Sequence, residues 1–293
     1  MAIPHEFFID SHKLVALSFN PHQTGTPIIL LHGICSSIYY WQNPDLLSVF
    51  LPYGPCYALS LPGHFPALVS AQFQQEAIQP YTMAKLLDTA IRELVGDQAV
   101  ILVGHSTGGF AALNVAAHYP DLARYIISIA GFAQGQWTGV LGTSQAFARS
   151  GNMGKLLFKL GMKLNVNSRT MHRVSLRLLS ANVQGLFSNP NLDTSIDTYL
   201  PYARLLDLTT INKYFAEMPN IDIRHLLSRI NAPTLALTGD QDPIVPPAQS
   251  RLIAQRVPYG NLALLKGAGH LPFFENPSEY QQILGGWLDQ QVH

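Results

Sequence analysis

The chain has 293 residues, 47% hydrophobic and only 12% charged, with 18 Lys plus Arg balanced by 18 Asp plus Glu. That length suits one large domain with or without an insertion, and the apolar share allows a sizeable core. The even charge balance argues against a nucleic-acid binder, and two cysteines make neither a disulfide framework nor a metal site.

Cys35 and Cys56 each read as a small apolar core residue. The first ten residues, MAIPHEFFID, lack a basic start followed by a long apolar run, so no secretory signal is expected. No apolar stretch approaches the roughly 18 residues of a spanning helix. A cytoplasmic location is the default expectation.

Apolar runs then alternate with helical patterns. Residues 14–19 (LVALSF) alternate as a strand. Residues 27–31 (PIILL) form a continuous apolar strand ending at His32-Gly33, and 56–61 (CYALSL) form another ending in Pro-Gly. A helix is predicted over 82–95 with Thr82 as its N-cap. A strand at 99–103 (AVILV), a helix over 106–118 and a strand at 125–130 (YIISIA) follow. After a long interruption come a strand at 234–239 (TLALTG), a helix over 247–257, a strand at 262–267 (LALLKG) and a last helix over 277–290. Buried strands separated by helices imply a parallel sheet covered on both faces.

The interruption spans 131–230 and reads as a helical insertion over the carboxyl edge of the sheet, where loops carry function. No acidic residue lies between Asp121 and Asp193. Lys155, Lys159 and Lys163 recur at helical spacing, as do Arg169, Arg173 and Arg177, giving two cationic stripes. Met153, Leu156, Leu157, Leu160 and Leu164 form an apolar face beside the first. The stripes suit peripheral contact with an anionic membrane surface or receipt of an anionic substrate; the plainer reading is a solvated helix face.

Gly104-His105-Ser106-Thr107-Gly108 joins strand to helix and matches the G-x-S-x-G nucleophile elbow. The serine needs a strained turn, and side chains two residues away would clash with it. A serine hydroxyl also needs a base. His270, in GAGHLPFFENP, follows the last strand on a Gly-rich loop and is the leading candidate. His64, after a strand end, is the hardest alternative to dismiss, whereas His105 should point to the other side of the strand from Ser106. The base in turn needs an acid to fix its tautomer. LTGDQDPIVPP offers Asp240 and Asp242, both at a strand's carboxyl end, and either could merely shape the turn.

With LLHG, GHSTGG, TGDQDPIVP and GAGHLPFFENP in these places, the sequence resembles the α/β-hydrolase family across 12–130 and 231–293. The resemblance implies a mostly parallel eight-stranded sheet with helices on both faces. It divides the chain into a first core part (1–130), a helical cap (131–230) and a second core part (231–293). It favours Asp242 as the acid, completing a Ser106–His270–Asp242 triad in the Ser…Asp…His order. It also implies an oxyanion hole from the backbone N–H groups of Ile34 and Thr107. The family often has an acidic residue where Ser60 precedes Leu-Pro-Gly here, and Ser106 in place of an aspartate argues against dehalogenases and epoxide hydrolases.

The expected chemistry is acyl transfer to water by a carboxylesterase- or lipase-like serine hydrolase, with no metal or cofactor and an apolar acyl or aromatic ester as substrate. His32, Gly33 and Trp137 are candidate substrate contacts. The aromatics of the insertion, Trp137, Phe147, Phe158, Phe187, Tyr199 and Tyr202, either bind that substrate or form the cap's own core. The same constellation serves carbon–carbon bond hydrolases, acyltransferases, cofactor-free haloperoxidases and hydroxynitrile lyases. A hydrolase-fold protein that binds a small molecule with little turnover is a rival of another class.

Overall fold

The computed structural model describes residues 3–70 and 76–292. β1 (Ile3–Ile9) and β2 (His12–Ser18) form an antiparallel hairpin. Asp10 and Ser11 turn it with φ of 46° and 67°, the left-handed pair that suits a tight hairpin. β3 (Ile28–Leu31), the short α1 (Pro44–Leu47), β4 (Cys56–Leu59), α2 (Pro80–Val95), β5 (Val100–His105), α3 (Thr107–His118) and β6 (Ala123–Ile129) follow. α2 starts at Pro80, two residues before the expected start. Proline's fixed φ suits a first helical position, so Thr82 lies inside the first turn and does not cap it.

The sheet is completed by β7 (Thr234–Gly239) and β8 (Gly260–Leu265) in the order β1-β2-β4-β3-β5-β6-β7-β8. β1/β2 and β2/β4 are antiparallel and the other neighbours are parallel. β3 and residues 100–103 of β5 are fully buried, which is why both read as unbroken apolar runs. Ser60 ties β4's end to β2: its Oγ accepts the Val15 N–H at 2.9 Å, and its own N–H donates to Val15 O at 2.9 Å.

The strand order reverses at β3. The chain moves outward to β4 and then crosses back to β5 on β3's other side. In an open parallel sheet such a reversal leaves a crevice at the strands' carboxyl ends. Here those ends carry His32-Gly33-Ile34 and Ser106.

Between β6 and β7 lie α4 (Gly139–Arg149), α5 (Gly151–Asn167), α6 (Arg169–Leu179), α7 (Val183–Ser188), α8 (Leu192–Ala203) and α9 (Leu208–Glu217). Polar ties join them to the sheet's loops. Asn189 and Asn191 donate to the two oxygens of Asp45 at 2.8 Å each, and Tyr214 donates to Pro62 O at 2.7 Å. The second predicted cationic stripe is largely neutralised: Arg169 pairs with Asp197 at 2.8 Å, and Arg173 pairs with Asp193 of α8. α10 (Ala248–Arg256), α11 (Pro272–Glu275) and α12 (Pro277–Val292) complete the chain.

Candidate active site

Ser106 sits between β5 and α3 with φ 54° and ψ −115°, a conformation that costs a non-glycine residue on the order of 1–3 kcal/mol. The two flanking glycines make this turn sterically feasible. A Cβ on Gly104 would lie 2.1 Å from Gly108 O, and one on Gly108 would lie 2.1 Å from Leu31 O. Thr107 opens α3, so its N–H has no acceptor inside the helix. Across the crevice Cys35 takes φ 59°, bending the loop that carries Ile34. Burial pushes the Cys35 thiol up, so it stays protonated and behaves as the small neutral residue expected.

His270 comes from the loop between β8 and α11. Its Nε2 lies 3.0 Å from Ser106 Oγ and its Nδ1 lies 2.7 Å from Asp242 Oδ2. With Nδ1–H donating to the carboxylate, Nε2 is free to accept the serine's O–H. All three side chains are buried. Asp242 is itself held, its Oδ1 accepting the N–H groups of Ile244 and Val245 at 2.8 and 3.0 Å. Asp240 is exposed and accepts the Gly267 N–H at 2.7 Å, so it stands apart from the imidazole. His64 is also apart, buried against His32 and Tyr214.

Of two groups beside His270, one departs from its expected direction and the other was not singled out from the sequence. His105 does not point away from the site: its Nε2–H donates to His270 O at 3.0 Å, and its Nδ1 lies 3.3 Å from Tyr40 OH. Burial holds His105 neutral, its pKa pushed down to about 3. Glu275, on α11, is 2% exposed. Its Oε2 accepts N–H bonds from Gly269, Ala181 and Asn182 at 2.8, 2.9 and 2.7 Å, and its Oε1 one from Leu271 at 3.1 Å. It therefore clamps both neighbours of His270 and the segment joining α6 to α7. The only sequence hint is its place five residues beyond His270.

A cavity of about 380 Å³ opens above Ser106, between the strand ends and α4, α5, α6 and α8. Ser106, His270, Gly33 and Ile34 form its floor, and Leu141, Phe147, Phe158, Met162 and Leu176 give it an apolar wall. One polar island interrupts that wall. His172 bonds Asn165 at 2.9 Å and also bonds Tyr199, and Asn165 bonds Ser175. Burial pushes the His172 pKa down to about 4, so this cluster is neutral at pH 7.

Two expected substrate contacts are not in the lining. His32 is buried behind Gly33: its Nδ1–H donates to Gly33 O at 2.8 Å and its Nε2 accepts the Leu61 N–H at 3.2 Å. It shapes the loop that carries Gly33 and Ile34. Trp137 is packed edge-on against Phe132 and Phe215, which closes it off from the cavity. Of the inserted aromatics, Phe147, Phe158 and Tyr199 face the cavity. Tyr202 stacks on Tyr39 at 3.5 Å, and Phe187 lies under Arg173.

Residues 26–277 match the family described as the alpha/beta hydrolase fold. The chain belongs to the α/β-hydrolase family. Among curated α/β-hydrolase relatives, pimeloyl-[acyl-carrier protein] methyl ester esterase of Neisseria meningitidis (serogroup A, strain Z2491) is 25% identical over 90% of this chain and 78% of its own length. A protein of Pseudomonas syringae pv. syringae, provisionally named carbamate hydrolase RutD, is 26% identical over 92% of this chain and 96% of its own. In fold, this α/β-hydrolase superposes on a thermophilic esterase from Thermogutta terrifontis with a TM-score of 0.73, 19% identity and full coverage of both chains.

Proposed function

We propose that the protein is a serine hydrolase that cleaves carboxylic esters of apolar acyl or aromatic groups, with α4–α9 serving as a cap over the site. The observation that carries this reading is the unbroken line Ser106 Oγ, His270 Nε2, His270 Nδ1, Asp242 Oδ2, at 3.0 Å and 2.7 Å across the two gaps. In this reading His270 takes the Ser106 proton as Oγ attacks the ester carbonyl. Asp242 stabilises the resulting imidazolium. The N–H groups of Ile34 and Thr107 stabilise the oxyanion, each by roughly 3 kcal/mol. His270 then returns its proton to the departing alcohol, leaving an acyl group on Ser106, and next activates the water that releases it.

Substrate class follows from the cavity. Its apolar wall suits a hydrocarbon or aryl group, and its size suits a small molecule. The relatives named methyl ester esterases support ester cleavage over carbon–carbon cleavage. Labelling by a fluorophosphonate probe, followed by turnover of p-nitrophenyl esters of increasing chain length, tests the proposal. Wild-type protein is expected to label and to prefer chains longer than acetyl, and Ser106→Ala to do neither. An inert Ser106 in folded protein would replace this reading with a binding protein, and a strict preference for acetyl would remove the apolar-substrate class.

A further inference from the structure

α5 buries one side and exposes the wrong kind of residue on the other. Gly154, Phe158 and Val166 face the protein. On the opposite side Met153, Leu156, Leu160 and Leu164, at helical spacing, are 69%, 51%, 49% and 61% exposed. α6, packed against α5, exposes Met171, Val174 and Leu178 in the same way. Of 17 large apolar side chains exposed among the described residues, nine fall within residues 147–178, on the mutually packed α4, α5 and α6. Such a patch on a soluble protein marks a contact surface.

Two features say what covers it. The first is charge. Lys155 and Lys163 are exposed on the same helix, Lys159 donates to Thr209 of α9 at 3.0 Å, and no acidic residue lies between 121 and 193. Among the described residues, no carboxylate comes within ion-pair distance of Lys155 or Lys163. A second copy of the chain would bring like-charged rows together with no carboxylate in the patch to offset them. The second feature is continuity with the cavity. Leu157 and Phe147 line the cavity wall yet remain 48% and 42% exposed, so the mouth opens beside the apolar strip.

We propose that α5 and α6 dock the protein on an anionic lipid surface, with Met153, Leu156, Leu160 and Leu164 in the headgroup boundary and Lys155 and Lys163 on the lipid phosphates. No helix among the described residues is long and apolar enough to cross a membrane, and the geometry is that of a helix lying in the interface. Docking places the cavity mouth against the acyl layer, so an apolar ester passes from lipid to Ser106 without crossing water. Only this delivery rests on the proposed esterase activity; binding to the surface does not.

The test is vesicle flotation of the full chain, with phosphatidylcholine alone and with phosphatidylcholine mixed with phosphatidylglycerol. Flotation is expected with the mixed vesicles only and is expected to weaken as salt rises. Lys155→Glu and Lys163→Glu should each weaken it by about fivefold or more. Leu156→Ser with Leu160→Ser should weaken it by about tenfold or more. All these variants should keep wild-type melting and wild-type hydrolysis of a soluble ester, and Leu262→Ser, on β8, should float as wild type does. Equal flotation on both vesicles, no flotation, or patch variants that float normally would overturn the proposal. So would light scattering that finds a dimer dissolved by Leu160→Ser, or an acidic protein that competes the vesicles away. Fluorophosphonate labelling is scored separately: a protein that floats without labelling keeps the lipid surface and loses the esterase.

Discussion

Glu275 holds the loop that carries His270, its carboxylate accepting the N–H groups on either side of the imidazole, from Gly269 and Leu271. The same carboxylate accepts the N–H groups of Ala181 and Asn182. One buried side chain thus fixes the imidazole's loop and the inserted helices relative to each other. Glu275→Gln turns an amide donor toward one of these N–H groups. It is expected to cost about 1–3 kcal/mol in denaturant unfolding and to lower kcat on a short ester more than it changes KM. Unchanged stability would mean that the clamp is dispensable.

Asp242→Asn tests the direction of the proton line. The asparagine oxygen can keep the N–H bonds of Ile244 and Val245. Its NH2 then faces His270 Nδ1 and imposes the tautomer that carries hydrogen on Nε2, which cannot accept the Ser106 proton. The expectation is a fall in kcat of about 10⁴-fold with melting little changed. Asp240→Asn, outside the line, should leave kcat within about twofold, because an asparagine oxygen at this exposed position can keep the Gly267 N–H bond.

Gly108→Ala puts a methyl group 2.1 Å from Leu31 O, a backbone atom that cannot swing aside. The strand end or the helix start must shift, at about 1–3 kcal/mol. Because either shift moves Ser106, fluorophosphonate labelling should slow by more than the loss of stability alone accounts for. Gly286→Ala, on α12 away from the cavity, is the control, since a Cβ there meets open space.

Five buried histidines, His12 among them, are held below the usual imidazole value by burial and set the response to acid. Burial pushes His32 and His105 down to about 3, and His64 and His172 down to about 4. Unfolded, each would take a proton near pH 6.5. Between those values the unfolded chain binds more protons, so stability rises with pH there and is lost as pH falls from 6.5 toward 4. Each histidine contributes a slope of about 1.4 kcal/mol per pH unit. The melting temperature should therefore drop steeply below pH 6, and His172→Gln should flatten the drop by one proton's share. A flat profile between pH 7 and pH 5 would contradict these neutral assignments.

How much of this was legible in the sequence differs by element. β3 and β5 are buried on both faces, so their unbroken apolar runs announce them. β1 is an edge strand with Pro4 near its start and Phe8 turned out to solvent, and its pattern is too mixed to read. The elbow around Ser106 is legible as a short pattern, although only Gly104 is held by a local contact, with Gly108 O, while Gly108 is held by Leu31 O of β3. Asp240 and Asp242 differ in which carboxylate is buried beside His270, a property of the folded loop that the local sequence does not carry. Trp137 and Phe158 are alike as aromatics in a helical insertion, and only packing sends one inward against Phe215 and the other to the cavity wall. His105 and Glu275 touch His270's loop, His105 across 165 positions, while Glu275 also reaches Ala181 across 94, and neither separation leaves a local pattern.

Ser106 and His270 are 164 positions apart, with every inserted helix between them. A nascent chain that has made β5 and α3 carries Ser106 but has no His270 to set beside it until β7 and β8 have been synthesised. The Ser106–His270 contact is thus completed late, and a probe that depended on it would count finished molecules and ignore unfinished ones.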